Sequence, residues 1–193
     1  MAEEYPKIKA RARAEGAEIQ WGDETEVAAD DRRGRGYAPP GATPERKVTG
    51  QHLRINLIST ITNQGAVRFM LYEGKMNATL FIVFLTRLVA GAQRKIFLIV
   101  DRLPAHEAGT VAAWVAAHAQ QIELFELPRY APELNPDESL NNDVKGNVNE
   151  DGLATNQSDL KSKVKGFVRK LGKLPERVMS YFENPKIAYA ASD

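Results

Sequence analysis

The segment Lys95-Ile96-Phe97-Leu98-Ile99-Val100-Asp101 constrains the fold more than any other stretch of the chain. An apolar run of strand length with no polar alternation must be covered on both faces. That is the signature of a strand inside a largely parallel sheet flanked by helices. The run ends abruptly on a carboxylate. At the carboxyl edge of such a sheet, a side chain leaves the core and faces the region where ligand sites collect.

The remaining segments supply the other layers of that sheet. Ala17 to Asp23 alternates as a short strand ending on Asp23, and residues 29–47 form a loop rich in Gly, Pro and Arg. Gln51 to Thr62 alternates, Asn63-Gln64-Gly65 turns, and Ala66 to Tyr72 returns as the antiparallel partner. Asn77 can cap a helix carrying Leu80, Phe81, Phe84, Leu85 and Leu88 on one face. Val111, Trp114 and Val115 mark a second helix, Ile122 to Leu127 another strand, and a third helix begins near Asp137. Residues 158–182 read as two more helices, the second opened by Pro175. Three early antiparallel strands followed by alternating helices and parallel strands predict an α/β fold. It is a ribonuclease H-like mixed sheet with helices on both faces and a helical C-terminal tail. The expected organisation is a charged helical lead-in over 1–17, a ribonuclease H-like domain over 18–150, and a helical extension over 151–193 packed on that domain.

Composition narrows the chemistry. Among 193 residues there is no cysteine, which excludes a disulfide scaffold, a thiolate metal site and a cysteine nucleophile. The lack of cysteine also fits a reducing cytoplasm, the expected compartment. The N-terminal residues lack the apolar run of a secretory signal, and the longest apolar stretch is short and interrupted by Arg87, so no membrane partner is expected. A net charge of +1 argues little about partners by itself.

Asp23, Asp101 and Glu138 fall at strand ends and at a helix start, and would converge if their strands are neighbours. Taken singly, each has an ordinary reading as a solvated or capping acid. Together they would repel one another unless a cation lies among them. Hard oxygen ligands suit Mg²⁺ or Mn²⁺, and two such ions roughly 3.5–4 Å apart can support phosphoryl transfer.

The sequences around these acids resemble those of DDE transposases of bacterial insertion sequences related to the mariner superfamily. Trp21-Gly22-Asp23-Glu24-Thr25 is similar to the first-aspartate strand, and Ile99-Val100-Asp101 with Pro104 and His106 to the second-aspartate segment. Leu127-Pro128-Arg129-Tyr130-Ala131-Pro132-Glu133-Leu134-Asn135-Pro136-Asp137-Glu138 is similar to the proline-rich run into the catalytic glutamate. The resemblance implies Asp23, Asp101 and Glu138 as catalytic and metal-binding residues, with Asp137 the rival for the third place. It also implies two Mg²⁺ or Mn²⁺ ions, transposon-end DNA as substrate and a homodimer in the active complex. His106 is expected to orient water or contact substrate. Arg102 stands where the family usually has Asn, beside the metal cluster and within reach of phosphate.

Arg32, Arg33 and Arg35 in the glycine-flanked loop are candidate DNA contacts, with a solvated loop as the other reading. The same pair of readings applies to Lys161, Lys165 and Arg169 on the basic face of the tail helix. The family carries an N-terminal helix-turn-helix region that reads the element ends, whereas this sequence begins almost at the catalytic domain. Two readings stay open, a truncated copy or one product of a split gene whose partner chain supplies the reader. Two rival functions follow: a stand-alone ribonuclease H-like nuclease, or a catalytically weak or inactive DNA-binding remnant.

Overall fold

The structure is a computed structural model and describes residues 4–29, 39, 41, 52–128 and 131–191. Its chain order is α1 (Tyr5–Glu15), β1 (Glu18–Ala28), β2 (Arg54–Ile61), β3 (Val67–Tyr72), α2 (Ala78–Ala90), β4 (Ile96–Val100), α3 (Gly109–Ala117) and β5 (Ile122–Glu126). A 3-10 turn (Pro132–Leu134), α4 (Asp137–Asn147), α5 (Gln157–Leu171), α6 (Pro175–Ser180) and α7 (Ala188–Ala191) complete it. The five strands form one sheet in the order β3-β2-β1-β4-β5. β1 is antiparallel to β2 and parallel to β4, β3 is antiparallel to β2, and β5 is parallel to β4. This is the mixed sheet expected from the order of elements.

The apolar run of β4 is buried along its whole length because it divides two cores. Ile96, Leu98 and Val100 pack with Phe81, Phe84, Leu85 and Leu88 of α2 and Val111 of α3. On the other face, Ile99 joins Trp21, Leu140 and Val144 of α4, and Leu160, Val164, Val168 and Leu171 of α5. α2 starts where expected: the Asn77 side chain accepts a hydrogen bond from the Leu80 amide at 3.0 Å. The β2–β3 turn places Gly65 at φ +87, with Pro175 so close that an added Cβ would lie 2.6 Å from its Cα.

Two boundaries differ from expectation, each for a tertiary reason. Residues 4–16 hold α1, whose Tyr5, Ile8 and Ala12 are buried. Tyr5 lies 5.7 Å from the Trp21 ring and Phe97 closes over Ile8 and Ala12, so this segment is part of the core. β1 does not end at Asp23 but continues to Ala28, because β2 pairs with it through Ala28↔Arg54. Its parallel pairing with β4 stops at Trp21↔Ile99. Asp23 is therefore a mid-strand residue just past the point where β1 and β4 part, and a cleft opens there.

Gly22 lets the strands pack closely at this point. A Cβ would come within 3.1 Å of the Ser59 carbonyl oxygen and of Thr60 Cγ2. α6 is tied to α4 by Arg177, whose Nε and Nη2 donate to the two Asp143 carboxylate oxygens at 2.8 and 2.6 Å.

Candidate active site

Adjacent strand residues point to opposite faces of a sheet, and β1 uses this to send two carboxylates to two places. Asp23 faces α4, and Glu24 faces α2. Asp23 Oδ1 accepts from the Glu24 amide and Oδ2 from Asn141 Nδ2, both at 2.9 Å. Burial pushes the Asp23 carboxyl up to about 8, reinforced by Glu138, Glu24 and Asp101, and opposed by the Glu24 amide.

α4 is pinned to β1 by the residue before Pro136, which precedes the helix. Buried Asn135 donates through Nδ2 to the Gly22 carbonyl at 3.0 Å, and its Oδ1 accepts from the Asp137 amide at 3.1 Å. Asp137 is fully buried, and its Oδ2 accepts from Ser59 Oγ at 2.7 Å. Burial and Asp23 push its carboxyl well above the usual carboxylate range, against the Ser59 hydrogen bond. One position further round the helix, Glu138 lines a cleft of about 480 Å³ together with Asp23 and Asp101. The structure thus separates the two neighbouring acids: Asp137 lies under the sheet contact, and Glu138 faces the opening.

Asp101 is the first residue after β4 and is half-exposed. Next to it, Arg102 also lines the cleft, but its Nε is 2.9 Å from Glu126 Oε2 at the end of β5. His106 sits in the turn before α3, buried, with its ring 4.1 Å from that of Phe81. Its Nδ1 donates to the Asp101 backbone carbonyl at 2.9 Å and its Nε2 to Glu24 Oε1 at 2.7 Å. Burial lowers the affinity of this ring for a proton. The nearby Asp101 carboxylate and Glu24 outweigh that and raise its pKa to about 10. The imidazolium accordingly braces the β4–α3 turn against β1.

Oxygens and nitrogens of Glu24, Asp101 and His106 lie within 4.8 Å of one another, close enough to surround a cation. Both His106 nitrogens are already engaged, which favours the carboxylates as ligands. Asp101 Oδ1, Glu24 Oε2 and Asp137 Oδ1 are buried without a hydrogen-bond partner. Asp101 Oδ1 is 3.3 Å from His106 Nδ1, whose hydrogen points at the carbonyl instead. In the cleft itself, Asp101 Oδ1 is unpartnered and the Asp23 carboxyl is pushed up by burial and by Glu138, Glu24 and Asp101, a cluster of hard oxygens that fits a divalent cation.

The other expected contacts lie elsewhere. Lys161, Lys165 and Arg169 form an exposed row on α5, and none of them lines the cleft. Arg32, Arg33 and Arg35 lie outside the described residues. Sequence reasoning passed over Glu24, Ser59, Asn135 and Asn141. Glu24 adjoins Asp23, and Asn141 is three positions after Glu138, but neither spacing marks a residue as buried.

The family model described as DDE superfamily endonuclease matches residues 18–161. The chain belongs to this family. No curated protein matches it. Among solved structures, the chain is similar to a Mos1 transposase paired-end complex with the left transposon end. That match has 17% identity and a TM-score of 0.67, covering 97% of this chain and 60% of the other. A Mos1 mariner paired end complex with Mn matches at 16% identity and TM-score 0.67, covering 100% of this chain and 62% of that one. The catalytic domain of Mos1 mariner transposase matches at 13% identity and TM-score 0.60, covering 100% and 92%. The DDE-family chain therefore spans about 60% of the transposase chains in the DNA complexes and nearly all of the catalytic domain. Its sheet and helices have the ribonuclease H-like architecture of that domain. Among the described residues, no helix is long and apolar enough to cross a membrane.

Proposed function

We propose that this chain is a transposase catalytic core that cuts and joins DNA at transposable-element ends by two-metal phosphoryl transfer. The observation that carries the reading is that Asp23, Asp101 and Glu138, from three separate elements, line one cleft. Arg102, the one described cation lining it, is engaged by Glu126. In this reading Asp23, Asp101 and Glu138 hold Mg²⁺ or Mn²⁺, with Asp137 excluded by its burial against Ser59. When bound, the ions would supply Lewis-acid activation of the attacking hydroxyl and stabilise charge on the leaving oxygen.

The chain's own residues supply the geometry. Asn141 and the Glu24 amide orient the Asp23 carboxylate, and Asn135 fixes the start of α4 so that Glu138 meets the cleft. His106 holds the Asp101 backbone through its carbonyl and acts as a positioning residue. An origin in a bacterial insertion sequence, a homodimeric active complex and a helix-turn-helix reader of the DNA ends belong to the same proposal.

The test is nicking of element-end DNA in Mg²⁺ or Mn²⁺, with Asp101→Ala and Glu138→Ala as controls. Cleavage is expected to need the metal and to fall by at least a hundredfold in either variant, as it does when an essential electrostatic element is removed. Metal-independent cleavage, or cleavage surviving Asp101→Ala, overturns the mechanism. Metal binding without cleavage supports the inactive-remnant reading instead.

A further inference from the structure

At the end of the sheet opposite the carboxylates lies a second cleft of about 750 Å³. Its walls come from α1, the start of β1, the β2–β3 turn, β3 and the α2–β4 turn. Among the described residues, Lys9, Arg13, Arg68 and Arg94 line it, against one carboxylate, Glu18. The nearby acids are committed elsewhere: Glu15 to Arg11 and Lys95, and Glu123 to Arg11. Among the described residues, Arg13, Arg68 and Arg94 make no ion pair. Arg68 Nε is buried with no hydrogen-bond partner. A Cβ on Gly91 would lie 3.2 Å from Arg68 Nη1, so the glycine leaves room for the guanidinium at the C-terminal end of α2.

We propose that this cleft binds the sugar–phosphate backbone of duplex DNA, on a segment separate from the one at the carboxylates. Arginine presents a planar fork of donors that matches phosphate oxygens. Among the described residues, no aromatic side chain lines the cleft to give a base a stacking platform. Contacts of this kind hold DNA in register without reading sequence. The cleft begins at Glu18 and Asp23 is five residues along β1, which places the two sites roughly 16 Å apart along the strand. A body that handles DNA at one end of its sheet and grips it at the other can hold two segments at once. The inference rests on the proposal that this chain acts on DNA.

The test is binding of a labelled random-sequence duplex in EDTA, where cleavage cannot contribute, measured by fluorescence anisotropy across a salt series. Arg13→Gln/Arg94→Gln removes two exposed cleft cations. Lys173→Gln/Lys186→Gln removes two exposed cations that do not line the cleft. The cleft pair should weaken binding about tenfold near 0.1 M salt and reduce the log–log salt slope by about 1.8, at about 0.9 per lost phosphate contact. The distal pair should change little, and thermal unfolding of both variants should match the parent. Equal losses from the two pairs would mean that net charge alone attracts DNA, and would overturn the site. So would an unchanged slope, or full displacement of the duplex by millimolar inorganic phosphate, which marks a small-anion site. Metal-dependent nicking measured separately keeps the two proposals distinct, since either can fail while the other stands.

Discussion

Glu24 and His106 form a buried ion pair, Oε1 to Nε2 at 2.7 Å, with both side chains at most 8% exposed. It links β1 to the turn that follows β4, on the face of the sheet away from Asp23. Removing one partner strands the other charge in a buried site, which typically costs about 3–5 kcal/mol. Glu24→Leu should therefore lower unfolding free energy by about that amount in urea titrations. The double variant Glu24→Leu/His106→Phe should recover at least 1 kcal/mol of the loss. Strict additivity of the two single changes would show that the pair is not coupled.

In the absence of metal, stability should fall as pH rises across the neutral range. Asp23 has a folded pKa of about 8 against an ordinary value of 3.8, so folding favours its protonated form. The relative stability this gives is complete below pH 4 and is lost as pH climbs towards 8. Each fully titrating group contributes a slope of up to about 1.4 kcal/mol per pH unit. His106 acts in the same direction between its unfolded value of 6.5 and about 10. Thermal unfolding in EDTA from pH 5 to 8 should show the decline, and Asp23→Asn should flatten it. Added Mn²⁺ should raise the melting temperature more at pH 8 than at pH 5. A pH-independent melting temperature would remove the electrostatic case for a cation in the cleft.

Acid should act through a different group of residues. Hydrogen bonds from Arg11 and Lys95 hold the Glu15 and Glu123 carboxyls below their usual range, with Arg11 the main partner of Glu123 and Lys95 of Glu15. Their stabilisation is present above about pH 4.5 and disappears as pH falls through the lowered values. Because the group is largely exposed, the effect should be small and should shrink in 1 M salt. Urea midpoints at pH 3 and 5, at low and high salt, measure it. A salt-insensitive acid loss would point elsewhere.

Gly65→Ala should destabilise the protein by about 1–3 kcal/mol, because the left-handed backbone is strained for alanine and the new methyl meets Pro175. Gly152, also at positive φ, has open space around it. Gly152→Ala should therefore cost about 1 kcal/mol through backbone strain alone. Equal losses at the two positions would show that the Pro175 contact is unimportant.

Much of the fold was legible in the sequence because its signals are local. The β4 run, the Asn77 cap, the turn at Gly65 and the helix after Pro136 each follow from spacing and backbone preference over a few residues. The position of Asp101 at the end of β4 belongs with these. β1 was harder, since Glu24 to Ala28 carries polar residues whose strand pairing depends on β2 arriving beside it. α1 looked like a charged lead-in, because three apolar contacts on one face of a short helix leave little periodic signal.

The apolar run of β4 ending on Asp101 and the helix that starts after Pro136 were determined by the sequence alone, because burial pattern and turn chemistry act along the chain. Which acid faces the cleft was decided by the tertiary structure. Asp137 and Glu138 are neighbours with similar chemistry, and one helical step of about 100° separates a carboxyl buried on Ser59 from one beside Asp23 and Asp101. That step is oriented by Asn135 on the Gly22 carbonyl and Asn141 on Asp23, contacts that exist only once α4 has docked on β1. The same docking gives buried Asn and Ser side chains their partners, and without it they read as ordinary surface residues.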